Sequence, residues 1–224
     1  MKYKNLPAYF FDLDGTVIDS INFAVAIYDK LGKKYGLPEI TVERYRQVVN
    51  ISSKVIATRL GLKEEHYPEL LELWKGGIES NHSSIRLFPG MDGVLNKLYN
   101  NGHTLGILTK NLRECTLQNI KRFGVDNYFH HILAYEDVEL VKPHEQHFIC
   151  ALEKAGVKAE DAVYVEDMHE SIRTAKRLGF TTVAVTWGYD SKKNLQSVEP
   201  DHTATNIEEL GRIIDEINLS FSKQ

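Results

Sequence analysis

From Pro89-Gly90 onward the sequence alternates between helical and extended patterns, and glycines close the helical segments. Met91–Asn100 has helical periodicity and stops at Gly102. Leu112–Phe123 stops at Gly124, Glu145–Ala155 at Gly156 and Ser171–Leu178 at Gly179. A glycine there supplies the left-handed residue that caps a helix. Short apolar stretches of strand length lie between them: Thr104–Leu108, a run near His131–Ala134, Ala162–Val165 and Thr181–Val185. A last helix is expected near Ile207–Ile217. Strand and helix in alternation imply right-handed crossovers and a parallel sheet covered on both faces. The fold class this predicts is α/β, with a doubly wound parallel sheet.

One strand precedes this region. Ala8-Tyr9-Phe10-Phe11 is a short apolar, aromatic run that ends in Asp12 and reads as a buried strand. Between that strand and Pro89 the patterns are helical only. Within Ser20 to Tyr35, residues Phe23, Ala24, Ile27, Tyr28 and Leu31 recur at helical spacing, and Gly36 and Pro38 end the segment. Further helical patterns cover Val42–Val49, Ser53–Leu60 and Glu64–Ser80. The expected division is residues 1–17 with 88–224 as the sheet-bearing core, and 18–87 as an inserted helical domain.

At 224 residues and 42% hydrophobic content the chain can bury a substantial core. Its 27 basic and 31 acidic residues give a formal charge of -4, so it has no global attraction to nucleic acid. An anionic substrate would have to be drawn by a local positive site. The apolar run Ala8–Phe11 is too short for a signal-peptide core or a membrane span, and no other long apolar stretch occurs. The expected location is the cytoplasm, with no membrane partner. Cys115 and Cys150 form no C-x-x-C pair and read as free thiols in a reducing compartment.

In doubly wound sheets the functional site gathers at the C-terminal ends of the strands. The first strand delivers Asp12-Leu13-Asp14-Gly15-Thr16. Carboxylates two residues apart and a glycine can turn both acids toward one point, where a hard cation would relieve their repulsion. Asp and Gly are also common turn residues. The strand ending at Leu108 delivers Thr109-Lys110-Asn111, a hydroxyl and backbone N–H groups at a helix start, as a phosphate cradle needs; an ordinary N-cap has the same appearance. Lys142-Pro143 precedes another helix and can neutralise phosphate charge. The strand ending at Val165 delivers Glu166-Asp167, adjacent acids that are costly at a buried strand end unless paired or metal-bound. Each signal is weak by itself. Together, in order and at successive strand ends, they form a kit for handling a phosphoryl group beside Mg²⁺.

On these residues the chain resembles the haloacid dehalogenase superfamily, closest to its helical-capped phosphatases such as phosphoglycolate phosphatase. The resemblance covers nearly the whole chain. Asp12 to Thr16, continued by Asp19-Ser20, matches the first motif of that family, and Thr109, Lys142-Pro143 and Glu166-Asp167 fall where the second, third and fourth belong. Phe88-Pro89-Gly90 resembles the return from cap to core. The resemblance implies a Rossmann-like core with a helical cap. It implies that Asp12 attacks phosphorus to form an aspartyl-phosphate, and that Asp14 protonates the leaving oxygen and then activates water. It further implies that Thr109 and Lys142 hold the phosphate, with Thr16, Lys110 and Asn111 as further substrate contacts. Asp12, the backbone carbonyl of Asp14, and Asp167 would bind Mg²⁺, with Glu166 assisting directly or through water. The expected partner is a small phosphorylated metabolite.

Three departures stand out. Ser171 occupies the place of a later acid in the fourth motif, Lys110 stands where asparagine is commoner, and His144-Glu145 follows Lys142-Pro143. The related sugar-phosphate mutases carry a cap histidine at the place of Ala24, which favours phosphatase over a β-phosphoglucomutase-like reaction. A non-catalytic binding module on the same fold is a further alternative, opposed by the presence of Asp12 and Lys142. In the cap, Asn50, Ser52, Ser53 and Lys54 lie between two helices and are candidate contacts to the leaving group. The cap is expected to act as a lid hinged near Asp19 and Pro89. His130-His131 reads as a solvated turn, and Trp187-Gly188-Tyr189 as packing at the domain edge.

Overall fold

The structure, a computed structural model, describes residues 6–49, 53–80 and 84–222, with backbone alone over 75–80. Contacts divide the chain into two compact units, Met1–Ile18 with Leu87–Gln224, and Asp19–Arg86.

The first unit is organised by β1 (Ala8–Phe11), whose four residues are all buried. It lies inside a sheet formed with β4 (Leu105–Leu108), β5 (His131–Leu133), β6 (Ala162–Glu166), β7 (Thr181–Val185) and β8 (His202–Ala204). The order is β5-β4-β1-β6-β7-β8, and each neighbouring pair is parallel. Strands added first on one side of β1 and then on the other make the doubly wound pattern, and place the switch in connectivity beside β1. A separate two-stranded sheet joins β2 (Ile18–Asp19) and β3 (Arg86–Leu87).

Successive residues of a strand point to opposite faces, and β1 uses this to serve two cores. Phe10 packs with Phe180 at a centroid distance of 6.2 Å, on the face that also holds Tyr164 and Phe148. Helices α7 (Glu145–Ala155) and α8 (His169–Leu178) cover that face. Tyr9 points the other way, where its hydroxyl donates to Asn218 Oδ1 of α10 (Ile207–Phe221) at 2.7 Å. Burying one such aromatic ring contributes about 1.5–3 kcal/mol. Helix α5 (Met91–Asn100) packs against α10, and α6 (Arg113–Arg122) links β4 to β5. The glycines expected to close these helices, Gly102, Gly124, Gly156 and Gly179, all have φ in the left-handed region.

The second unit contains α1 (Ile21–Lys34), α2 (Val42–Arg46), α3 (Ser53–Arg59) and α4 (Tyr67–Ser80). Its core is aromatic: Trp74 lies 5.3 Å from Phe23 and 6.2 Å from Tyr28 between centroids. Thr41 caps α2 by accepting the Arg44 N–H, and Glu69 receives both Lys34 and the Tyr35 hydroxyl. Among the described residues, no helix is long and apolar enough to cross a membrane.

Candidate active site

β1 ends where its ladder with β6 closes, the Asp12 N–H donating to Val165 O at 3.0 Å. The chain then turns sharply. Gly15 donates to Ile18 O at 2.8 Å, and the N–H groups of Val17 and Ile18 both reach Leu13 O at 2.9 Å. Gly15 takes φ 90, and a Cβ there would lie 2.4 Å from Asp167 Oδ2. The turn therefore accepts only glycine on two counts, and it sets β1's acids against those of β6.

The carboxylates of Asp12, Glu166 and Asp167 offer oxygens within 4.8 Å of one another, and all three residues are buried. Lys142 enters this group with its side chain 2% exposed. Its Nζ donates to Asp12 Oδ1 at 2.5 Å, to Glu166 Oε2 at 2.7 Å and to the Tyr164 hydroxyl at 3.1 Å. Tyr164 donates to the same Glu166 oxygen at 2.6 Å. Glu166 Oε1 takes the backbone N–H groups of Asp167 and Met168 at 3.0 and 3.2 Å. Asp167 has neutral donors instead: Thr16 Oγ1 at 3.1 Å on Oδ1 and the Tyr189 N–H at 2.7 Å on Oδ2.

The electrostatics reflect this division. Burial, then the charge of Glu166, pushes the Asp12 carboxyl up, with Lys142 opposing. Burial, then the charges of Glu166 and Asp12, raises Asp167 well above the carboxylate range. Burial would raise Glu166 too, but the charge and hydrogen bond of Lys142 hold it low. Burial disfavours the Lys142 ammonium, yet Asp12 and Glu166 keep it protonated. Three buried acids sharing Lys142 repel one another when ionised, which is why Asp12 and Asp167 hold their protons more tightly than free carboxyls. Oxygen donors so arranged suit a hard divalent cation, so the residues present fit the metal that the sequence suggested.

The other residues singled out by the sequence take varied positions. The Asp14 carboxylate lies outside the triad and accepts from Asn111 Nδ2 at 3.2 Å. Thr109 is buried at the end of β4, its N–H on Leu133 O and its Oγ1 accepting the Asn111 N–H at 3.0 Å. The helix start after it differs from the expected cradle. The Leu112 N–H goes to Asn111 Oδ1 and the Arg113 N–H to Glu136 Oε2, both at 2.9 Å. The N–H groups of residues 111–113 are thus already used by protein acceptors. Lys110 is half-buried. Burial and the nearby Lys142 charge lower its pKa, against the pull of Glu166, Asp12 and Asp167. Thr16, expected to touch substrate, is fully buried and gives its hydroxyl to Asp167. Asn50 and Ser52 lie outside the described residues. Ser53 Oγ meets the Tyr67 hydroxyl at 2.9 Å, and Lys54 pairs with Glu64, both inside the helical unit.

Four residues of the site escaped the sequence reading. Tyr164 was a strand residue in the pattern, although it shares a face with Glu166 two positions on, which was a usable signal. His147, buried in α7, accepts the Lys142 N–H on Nδ1 at 3.1 Å. Gly188 and Tyr189 belong to the segment read as edge packing. A Cβ on Gly188 would sit 2.2 Å from Asp167 Oδ2, and Trp187 Nε1 donates to Thr16 O at 3.2 Å, so this segment braces the triad. His130 is exposed at a bend, as expected of a solvated turn, and accepts the Leu105 N–H on Nδ1 at 3.1 Å, while His131 opens β5.

Comparison with known proteins bears on this geometry. A family model described as haloacid dehalogenase-like hydrolase matches residues 9–185. A phosphoglycolate phosphatase of Synechococcus elongatus is 30% identical over 196 residues, covering 88% of this chain and 91% of its own. The pyrophosphatase PpaX of Oceanobacillus iheyensis is 27% identical over 208 residues, covering 91% and 94%. A crystal structure of a hydrolase from Pseudomonas syringae superposes with a TM-score of 0.82 at 23% identity, covering 95% of this chain and 99% of that one.

Proposed function

We propose that this chain, a phosphatase that belongs to the haloacid dehalogenase-like hydrolase family, cleaves a small phosphate monoester in two displacements at Asp12, with Mg²⁺ as its metal. The observation that carries this reading is the buried group of Asp12, Glu166 and Asp167 around one lysine, with Asp14 held beside it by Asn111.

In the first displacement an Asp12 carboxylate oxygen attacks phosphorus and the bond to the leaving oxygen breaks. Asp14 gives that oxygen its proton. In the second, Asp14 takes a proton from water, whose oxygen attacks phosphorus and releases inorganic phosphate with Asp12 restored. A carboxylate nucleophile is well suited to such covalent catalysis, and a positioned acid–base group contributes about 10²–10⁴-fold. Lys142 offsets charge on Asp12 and on the phosphoryl oxygens, and the Thr109 hydroxyl orients them. Asp12, Asp167 and the Asp14 carbonyl would hold Mg²⁺. Glu166, whose two oxygens already accept Lys142, Tyr164 and two N–H groups, would act through water. Bound Mg²⁺ supplies Lewis-acid neutralisation of the phosphoryl charge.

The substrate we propose is of the phosphoglycolate type, a small phosphorylated acid. The similarity to a phosphoglycolate phosphatase supports it, as does Lys110, a second half-buried ammonium beside the site. Turnover should be measured on phosphoglycolate, pyrophosphate, sugar phosphates, nucleoside monophosphates and p-nitrophenyl phosphate. Activity should require Mg²⁺, vanish in excess EDTA and vanish in Asp12→Asn while the protein stays folded. Native turnover by Asp12→Asn, or full activity in EDTA, would refute the mechanism.

A further inference from the structure

The segment after β7 does more than close a turn. Asp167 is slotted between two backbones that carry no Cβ. A methyl group on Gly15 would approach its Oδ2 to 2.4 Å, and one on Gly188 would approach the same oxygen to 2.2 Å and Cγ to 2.5 Å. The Tyr189 N–H then takes Oδ2 at 2.7 Å. The rotamer of Asp167 is therefore set by a loop distant from it in sequence, together with Thr16.

That loop is itself anchored one residue further on. Asp190 Oδ2 accepts the His169 N–H at 3.1 Å and His169 Nδ1 at 2.5 Å. Its Oδ1 accepts the Ser191 N–H and Asn194 Nδ2, both at 2.8 Å. The Asp190 and His169 side chains are 6% and 14% exposed. His169 follows Asp167 by two residues and opens α8. Residues 189 and 190 thus attach at two points to the short stretch 167–169 that presents the carboxylate.

We infer that the His169–Asp190 pair is a latch, a positioning device that holds the loop Trp187–Asp190 against Asp167 and so sets the geometry of a metal-binding carboxylate. The inference rests on the proposal that Asp12 and Asp167 hold Mg²⁺. Groups that orient a ligand in this way typically change metal affinity by about 10–100-fold when removed. Simple capping of α8 by Asp190 would give a different result. Its loss would weaken the fold but leave the folded protein's affinity for metal intact.

Mg²⁺ titration calorimetry on the full chain, freed of metal and without substrate, separates the two. Asp190→Ala should weaken Mg²⁺ binding by about 10–100-fold, and the Mg²⁺ concentration for half-maximal rate should rise by the same factor. Asp190→Asn, which keeps one acceptor, should lie between. His169→Ala removes only the ring's bond and leaves Asp190 its backbone partners, so it serves if Asp190→Ala does not fold, and it should shift affinity in the same direction. Native Mg²⁺ affinity in variants that are merely easier to unfold would overturn the latch. A native chain that binds no Mg²⁺ would overturn the metal reading itself, which is a separable outcome.

Discussion

Lys142→Met tests how the buried charges are balanced. The Lys142 ammonium serves Asp12 at 2.5 Å, Glu166 at 2.7 Å and the Tyr164 hydroxyl at 3.1 Å. The two carboxylate side chains are 7% and 0% exposed, so water cannot replace it. Methionine is close to the lysine stem in volume, so little cavity or strain is added. The loss is electrostatic: removing one partner of a buried pair costs about 3–5 kcal/mol, because the other charge stays behind. That cost depends on pH with a definite sign. Without the lysine, Asp12 and Glu166 have folded pKa values raised above those of the unfolded chain. The penalty is then full where both are ionised and shrinks as pH falls and they take up protons. Urea unfolding of native protein and variant, in EDTA, at pH 8 and pH 5.5, reads this directly. The difference should be several kcal/mol at the higher pH and clearly smaller at the lower. Added Mg²⁺ should recover part of it. kcat/KM should fall by about 10²–10³-fold, the usual loss of one transition-state charge partner. Equal stability at pH 8 in EDTA, or a difference that grows on acidification, would refute the account.

Single contacts give further expectations. His147 is buried, and burial with the Lys142 charge pushes its pKa down to about 4, against Leu133 O and Asp137. The unfolded chain then binds the extra proton as pH drops from about 6.5 to about 4, so this group should remove about 3 kcal/mol of stability across that window. In urea unfolding, His147→Gln should lack that slope, and an unchanged slope would contradict the assignment. Lys110→Ala should lower kcat/KM for phosphoglycolate by about 10–100-fold, the range for a lost hydrogen bond to a charged group. It should affect p-nitrophenyl phosphate much less, and equal losses on both substrates would remove Lys110 from substrate selection.

The sheet was legible because its central strands are buried on both faces and helices that follow Pro89 end at Gly102, Gly124, Gly156 and Gly179. Ala162–Val165, Thr181–Val185 and Glu145–Ala155 can be read from apolar runs and stop signals alone. β8 could not. Its three residues, His202–Ala204, include a histidine and a threonine and are mostly half-buried, so they carry no apolar run. The short helix Lys192–Gln196 buries only Leu195, too little for a periodicity. At the site, Asp12, Thr109 and Glu166-Asp167 were readable because topology brings parallel strand ends together. The partners of the N–H groups at the helix start after Thr109 were not readable, because such groups look free in a sequence. Here the takers of the Arg113 and Asn111 N–H groups, Glu136 and Thr109, sit 23 and two positions away. The Trp187–Tyr189 segment does pack, as read, but its partner was not legible: a glycine after a strand announces close approach, but not what approaches.

Glu166 and Asp167 show why composition at a site is a poor guide to role. They are neighbours in sequence and both are fully buried. β6 turns Glu166 to the face of Tyr164, where Lys142 supplies a full positive charge and two backbone N–H groups complete its shell. Asp167 lies past the strand end and receives a threonine hydroxyl and a peptide N–H. Neutral donors satisfy lone pairs but do not cancel a charge in a low-dielectric site. Asp167 is accordingly the acid whose ionisation the site resists most, held up by burial and by the charges of Glu166 and Asp12. A divalent cation held by Asp12 and Asp167, as proposed, would relieve that repulsion and let both acids stay ionised.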